Sequence, residues 1–373
     1  MRLKDIGTIV TGNTPSKKNN EYYESNDILF IKPSDIEENY ITSLDNSEEY
    51  ISEKARKTAR ILPEGAVLVT CIGTIGKVGI LKKEASCNQQ INAIIPNDKV
   101  ISKYLAYLIQ SKRKILQAKA NAPIVPIINK TAFSEIEINI CDKDNQEKIV
   151  KQLDLLKAII DKRKEQIEEL QNIIKSQFVE MFENEKYPKK TLSELTDKIT
   201  DGSHNPPAGI TENEGYMMLS SQNIINDSIN YDNVRYLKKE DFEKENRRTN
   251  LQKGDVLLTI VGTVGRTAII TEKSNIVLQR SVAVLKPNTE INSVYLVGAL
   301  NSESVIKQLN KGAKGVAQKG IYLNDLKRII INVPPIELQN QFAEIVKQID
   351  KQKFESVMEL KKLQKNIFYK WGR

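Results

Sequence analysis

Histidine occurs once and cysteine only three times in the 373 residues. Cys71, Cys87 and Cys141 are far apart and form no CxxC pair, so neither a disulfide framework nor a zinc site is expected. No apolar run approaches the roughly 18 residues that a membrane span needs, and the N-terminus carries no apolar signal core. A cytoplasmic protein is therefore expected. Gly-rich turns of the nucleotide-binding kind are missing, as are the P-loop ending and any Pro-Asp…Glu-X-Lys nuclease arrangement. Glycine and proline are absent from one long stretch as well, everywhere between Asn145 and Tyr187.

That stretch, 146–182, is the most ordered pattern in the chain. Ile149, Leu153, Leu156, Ile160, Ile167, Leu170, Ile174, Phe178 and Met181 follow one another at steps of three, four or seven. With nothing to end a helix, the run predicts one of roughly 55 Å, at about 1.5 Å per residue. Its narrow apolar stripe asks for one partner helix rather than a broad core. Phe342, Val346, Ile349, Leu360, Leu363 and Ile367 repeat the pattern from about 338 to 371, interrupted by Lys353 and Ser356. The two runs predict an antiparallel intramolecular coiled coil.

A second pattern is an internal repeat. GAVLVTCIGTIGK at 65–77 and GDVLLTIVGTVGR at 254–266 share seven of thirteen positions. Around them, Gly12-Asn13-Thr14-Pro15 corresponds to Gly202-Ser203-His204-Asn205-Pro206, and Phe133-Ser134-Glu135-Ile136 to Leu323-Asn324-Asp325-Leu326. Gln89-Gln90-Ile91-Asn92-Ala93-Ile94-Ile95 aligns with Gln279-Arg280-Ser281-Val282-Ala283-Val284-Leu285. An offset near 190 residues is too long for a solenoid and means two copies of a domain plus helix. Within each copy, Val67–Ile72 and Val256–Val261 read as strands closed by Gly-Thr-X-Gly turns, and 102–118 and 292–309 read as helices. The expected fold is α+β: mixed α/β domains at 1–144 and 186–336, and long helices at 145–185 and 337–373, related by a pseudo-two-fold.

The net charge is +8, and its distribution says more than its size. Seven basic residues and no acidic one lie between Lys99 and Ser134, and four lysines without an acid lie between Ser304 and Asn324. Either block alone is equally well a solvated face; two at equivalent places favour an anionic partner. Asn205-Pro206-Pro207-Ala208 lacks the aromatic that completes the Asn-Pro-Pro motif of amino-methyltransferases, and reads as a turn shared by both copies. Gly73-Thr74-Ile75-Gly76 and Gly262-Thr263-Val264-Gly265 read as hairpin turns rather than phosphate cradles. His204 reads as a surface-loop residue. Lys311–Gly320 is a Gly/Lys-rich loop able to bring amides and lysines to phosphates, and Gln and Arg pair bidentately with purine edges.

With these features in place, the chain resembles the specificity (S) subunit of type I restriction–modification enzymes along essentially its whole length. Gly12-Asn13-Thr14-Pro15-Ser16 is similar to that family's Gly-Gly-Thr-Pro-Ser turn, and Asn88-Gln89-Gln90-Ile91 to its Asn-Gln-Gln strand entry. Tyr322-Leu323-Asn324-Asp325-Leu326, continuing through Val333-Pro334-Pro335-Ile336-Glu337-Leu338-Gln339, resembles its approach to the second long helix. Cys141-Asp142-Lys143 departs from the usual Pro-Pro, and Gly202-Ser203-His204-Asn205 from Gly-Gly-Thr-Pro. The resemblance implies a non-catalytic reader of double-stranded DNA with no cofactor of its own. Two methyltransferase subunits using S-adenosylmethionine would dock on it, and restriction subunits using ATP and Mg would join them. Two target-recognition domains would read a split, asymmetric site while the helices set the spacer, matching half-sites about 34–36 Å apart.

Within that reading, Lys32, Ser34, Gln89 and Gln90 in the first copy, and Ser220, Gln222, Asn223, Gln279 and Arg280 in the second, are the expected base readers. Lys77, Lys119, Lys130, Arg266, Lys314 and Lys319 are the expected phosphate contacts. Arg280→Ala should relax one position by about 1–3 kcal/mol, whereas Lys314→Ala should weaken binding evenly across sequences. Two other readings stay open: a methyltransferase or nuclease with a fused recognition region, and a coiled-coil scaffold. A scaffold would show none of the salt-sensitive DNA binding expected of a reader.

Overall fold

The computed structural model describes residues 1–120, 125–183, 185–213, 215–272, 275–313 and 320–371, with side chains of the last helix described as far as 363. The chain divides into two compact units, Met1–Lys164 with Met358–Arg373, and Glu165–Val357. The division falls inside both long helices, Lys143–Phe182 and Ile336–Trp371, so each unit is a globular domain carrying a piece of each.

The first unit contains a five-stranded sheet in the order Gly7–Thr11, Ile91–Pro96, Val67–Thr70, Val78–Leu81, Ile41–Leu44. Its last pair is parallel and the others are antiparallel. A smaller sheet orders Glu49–Ile51, Ile28–Ile31 and Ala85–Cys87. The second unit repeats this plan with Thr196–Asp201, Val282–Pro287, Val256–Thr259 and Thr267–Ile269, and with Arg235–Tyr236, Met217–Leu219 and Ile276–Leu278. Central strands such as Val67–Thr70 and Val256–Thr259 are buried at every position, which explains their unbroken apolar runs.

One alignment needs correction. Leu68 pairs with Ala93, and Leu257, its counterpart, pairs with Val284. The strand after the repeat is therefore offset by one from the match suggested by the shared glutamine and alanine. Asn88 is the counterpart of Gln279, and Gln89 of Arg280: Asn88 N–H donates to Ile31 O (3.1 Å), as Gln279 N–H does to Leu219 O (2.8 Å). A one-residue slip would turn every side chain of the strand to the opposite face, so pairing overrides sequence identity here. The helices expected at 102–118 and 292–309 are each two: Ser102–Ser111 with Arg113–Ala118, and Ser293–Leu300 with Glu303–Gly312. Ser302 caps the last of these by accepting from Val305 N–H, which starts a new helix where apolar spacing alone continued the old one.

Each globular domain is latched to its long helix by one buried glutamine. Gln146 Oε1 accepts from Ile101 N–H (2.9 Å), and its Nε2 donates to Lys99 O (2.9 Å) and Cys141 O (2.8 Å). Gln339 repeats this on Asn292 N–H (2.8 Å), Glu290 O (3.1 Å) and Pro334 O (2.9 Å). Both side chains are fully buried. Only an amide can satisfy a buried donor and two buried acceptors at one point.

The described apolar positions of both helical stripes are buried or half-buried. In the first unit Leu153 and Ile160 are buried, Leu156 is half-buried, and Ile149 packs into the domain core. Arg163 pairs with Glu359 at 2.8 Å, while Leu360 and Leu363 are half-buried. In the second unit Ile167, Leu170 and Ile349 are half-buried, and Ile174, Phe178, Phe342 and Val346 join the core. There the end of the first helix meets the start of the second, the antiparallel sense expected. Ile367 lies beyond the described side chains. Phe178, Phe182, Tyr295 and Phe342 form a cluster with ring centroids 4.8–5.5 Å apart, each pair contributing about 0.5–1.5 kcal/mol beyond its buried area.

Candidate nucleic-acid interface

In each unit, turns from distant parts of the chain meet at one edge of the domain. Gly12 passes so close to Cys87–Asn88 that an added Cβ would lie 2.2 Å from Asn88 O; at Gly202 it would lie 2.1 Å from Leu278 O. Only glycine permits these two backbones to cross. The crossing is fixed by Asn13 N–H donating to Cys87 O (2.9 Å) and Ser203 N–H to Leu278 O (2.7 Å).

Gly-Thr-X-Gly turns lie alongside. Both glycines of each turn have positive φ: 74° and 84° at Gly73 and Gly76, 82° and 100° at Gly262 and Gly265. The preceding threonine closes each turn, accepting at its hydroxyl from Lys77 N–H (3.0 Å) or Arg266 N–H (2.9 Å). Cys71 N–H to Gln90 O (2.8 Å) and Ile260 N–H to Ser281 O (2.9 Å) join these turns to the crossing. A short 3-10 turn completes the group, Pro33–Asp35 in one unit and Ser221–Asn223 in the other. Lys77 Nζ donates to Pro33 O (2.9 Å), and Ser221 N–H to Ser281 Oγ (3.1 Å).

The expected readers are thus gathered, in different states. Gln89 is exposed and accepts from Thr14 Oγ1 at 2.7 Å, while Gln90 is half-buried and accepts from Asn88 Nδ2 at 3.0 Å. Lys32 is paired with Glu49, and Ser34 donates to Glu48 Oε2 at 3.1 Å, so two carboxylates border the first cluster. In the second, Ser220 and Gln279 are half-buried and Gln222 and Arg280 exposed; the Arg280 guanidinium has no partner among the described residues. Asn223 has a different place. It is buried, accepts from Ser220 N–H (2.9 Å) and donates to Asn230 O (3.1 Å) and Asp232 O (3.2 Å), so its amide holds the turn together.

Of the expected phosphate contacts, Lys119, Lys130 and Arg266 are exposed, Lys77 is half-buried, and Lys314 and Lys319 lie outside the described residues. Asn205-Pro206-Pro207 runs from a bend at His204 and Asn205 into irregular backbone, where the Pro207 carbonyl accepts from Arg235 at 2.9 Å. Sequence reasoning passed over Asp201 and Arg248, and read His204 as no more than a surface-loop residue, which its exposure fits. Asp201 is buried beside the crossing, pairs with Arg248 through Oδ1, and sits 2.8 Å from His204 Nε2 through Oδ2. Among the described residues no group of His, Cys, Asp and Glu is placed to hold a metal ion, and no helix is long and apolar enough to cross a membrane.

Comparison with known proteins supplies the context. The model of the type I restriction modification DNA specificity domain matches residues 1–172 and again 184–365. The type I restriction enzyme MjaIX specificity subunit of Methanocaldococcus jannaschii is 28% identical over 97% of this chain and 89% of its own length. The EcoR124I/EcoR124II specificity subunit of Escherichia coli is 32% identical over 41% of this chain and 39% of its own. Among solved structures, a chain from work on complex assembly and conformational transition of the type I R-M system superposes with a TM-score of 0.59 at 18% identity, covering 100% of this chain and 97% of that one. The type I S subunit from M. genitalium gives 0.51 at 14% identity, covering 98% and 93%.

Proposed function

The chain belongs to the type I restriction modification DNA specificity family, and from that premise we propose that it reads a split, asymmetric DNA target, one short block per recognition domain. It is the DNA specificity subunit of such a system and not itself the catalyst. The observation that carries the finer reading is a duplicated loop cluster whose scaffold is the same and whose outward side chains differ. Gln89 faces out where the second copy has Arg280, and the carboxylates Glu48 and Glu49 border only the first cluster. Different donors and acceptors at equivalent points select different base pairs.

Lys32, Ser34, Gln89 and Gln90 read the first block, and Ser220, Gln222, Gln279 and Arg280 the second. Lys77, Lys119, Lys130 and Arg266 hold phosphates, fixing register without carrying sequence information. The long helices set the spacer and receive methyltransferase subunits, to which restriction subunits add; residues 1–144 and 186–336 are the recognition domains. The work is done in the cytoplasm, where the DNA is. The test is co-expression with a type I methyltransferase subunit and methylome sequencing of the host DNA. A split, asymmetric, adenine-methylated motif present only with this chain is the expected result. Methylation independent of this chain would refute the proposal.

A further inference from the structure

We infer that His204 is a base-reading residue of the second half-site, held in its reading position by Asp201; this rests on the reading just proposed. His204 occupies the place of Thr14 in the first unit, one residue beyond the backbone crossing. There Thr14 Oγ1 is 2.7 Å from the Gln89 amide, so this place lies within side-chain reach of the reader position. In the second unit the reader counterpart is Arg280, whose N–H donates to Ser203 O at 2.9 Å, directly before His204. His204 is therefore carried on the same laced turn as Arg280.

Its side chain is more than half exposed, at 55%, yet it is not loose. Asp201 is 6% exposed and fixed from two sides: Arg248 Nε donates to its backbone oxygen at 2.8 Å, and the same guanidinium pairs with Oδ1. Oδ2 remains for His204 Nε2, at 2.8 Å. A carboxylate accepting at Nε2 puts the proton of the neutral ring there and presents Nδ1 as an acceptor. Nδ1 has no partner among the described residues. A fixed acceptor on a groove-facing turn matches the exocyclic amino group of adenine or cytosine. At the equivalent places of the first unit, Thr11 stands for Asp201 and donates to Asn92 Oδ1 (2.6 Å), and Thr14 stands for His204 and donates to Gln89 Oε1 (2.7 Å).

The experiment is methylome sequencing with His204→Ala and, separately, Asp201→Asn, each as the full chain co-expressed with its methyltransferase subunit. Discrimination at one position of the second block should fall by about tenfold or more in His204→Ala. A smaller loss at that same position is expected in Asp201→Asn, which keeps the imidazole but loosens its hold. The first block, read by a separate unit, should be unchanged in both. An unaltered motif in His204→Ala overturns the inference. Methylation that drops evenly over all sequences also overturns it, since that is the mark of a phosphate contact, and so does relaxation of both blocks together. If the parent chain yields no split motif, the broader functional reading has failed instead.

Discussion

Replacing Gln339 by methionine keeps the length and nearly the volume of the side chain while deleting its amide, so packing is little disturbed. Three hydrogen bonds disappear at once, to Asn292 N–H, Glu290 O and Pro334 O. At about 1 kcal/mol net for each, the loss is about 3 kcal/mol, and it grows if the stranded groups stay dry, at about 1–3 kcal/mol apiece. The same substitution at Gln146 strands Ile101 N–H, Lys99 O and Cys141 O and should cost a similar amount in the first unit. Urea unfolding followed by circular dichroism at 222 nm measures both. Gln352→Met, at an exposed position of the second long helix, is the control and should stay within about 0.5 kcal/mol of the parent. If Gln339→Met and Gln146→Met also stay within that margin, the buried amides contribute nothing and the latch is a wrong reading.

Gly298→Ala should lower the melting temperature although alanine favours helix by about 1 kcal/mol. The new Cβ would sit 2.5 Å from Phe178 Cδ2 and 3.3 Å from Phe342 Cε1, and overpacking of that kind costs about 1–3 kcal/mol. Burial pushes the Cys71 and Cys87 thiols up to about 12 from an ordinary 9.0, so thiol reagents at pH 8 should label Cys141 first and the other two only on unfolding. Because the fold holds both thiols protonated, the stability linked to them is complete below about pH 9 and is lost as pH climbs towards 12, measurable as an alkaline fall in urea midpoint. Arg280→Ala should broaden one position of the second block, whereas Lys130→Ala should weaken DNA binding evenly and flatten its salt dependence, both read by competition binding of the assembled methyltransferase.

The large features were legible because they are periodic. A helix free of Gly and Pro, with apolar residues at heptad steps, has few alternatives, and Leu153, Ile160, Phe178 and Phe342 are buried as that spacing requires. The Gly-Thr-X-Gly turns were legible because positive φ at two positions needs the two glycines. What sequence could not resolve was set by tertiary pairing. The offset of Gln89 against Arg280 follows from a strand register that identity misaligned by one. Asn223 carries a base-reading chemistry, yet three backbone contacts hold it inside a turn. His204 gains its interest from Asp201 and from Arg248, the latter over forty positions away, a proximity no local pattern encodes.

The two glutamine latches have a consequence for how such a chain can change. All six of their contacts are to main-chain groups, which every residue supplies. The joint between recognition domain and long helix is therefore nearly indifferent to the side chains of the loops it clasps. Mutations in the loops at the domain edge can accumulate without renegotiating this joint each time. Inheritance of the scaffold and innovation in the address are separated by chemistry, and one ancestral half could be copied and then retuned while its twin kept the architecture sound.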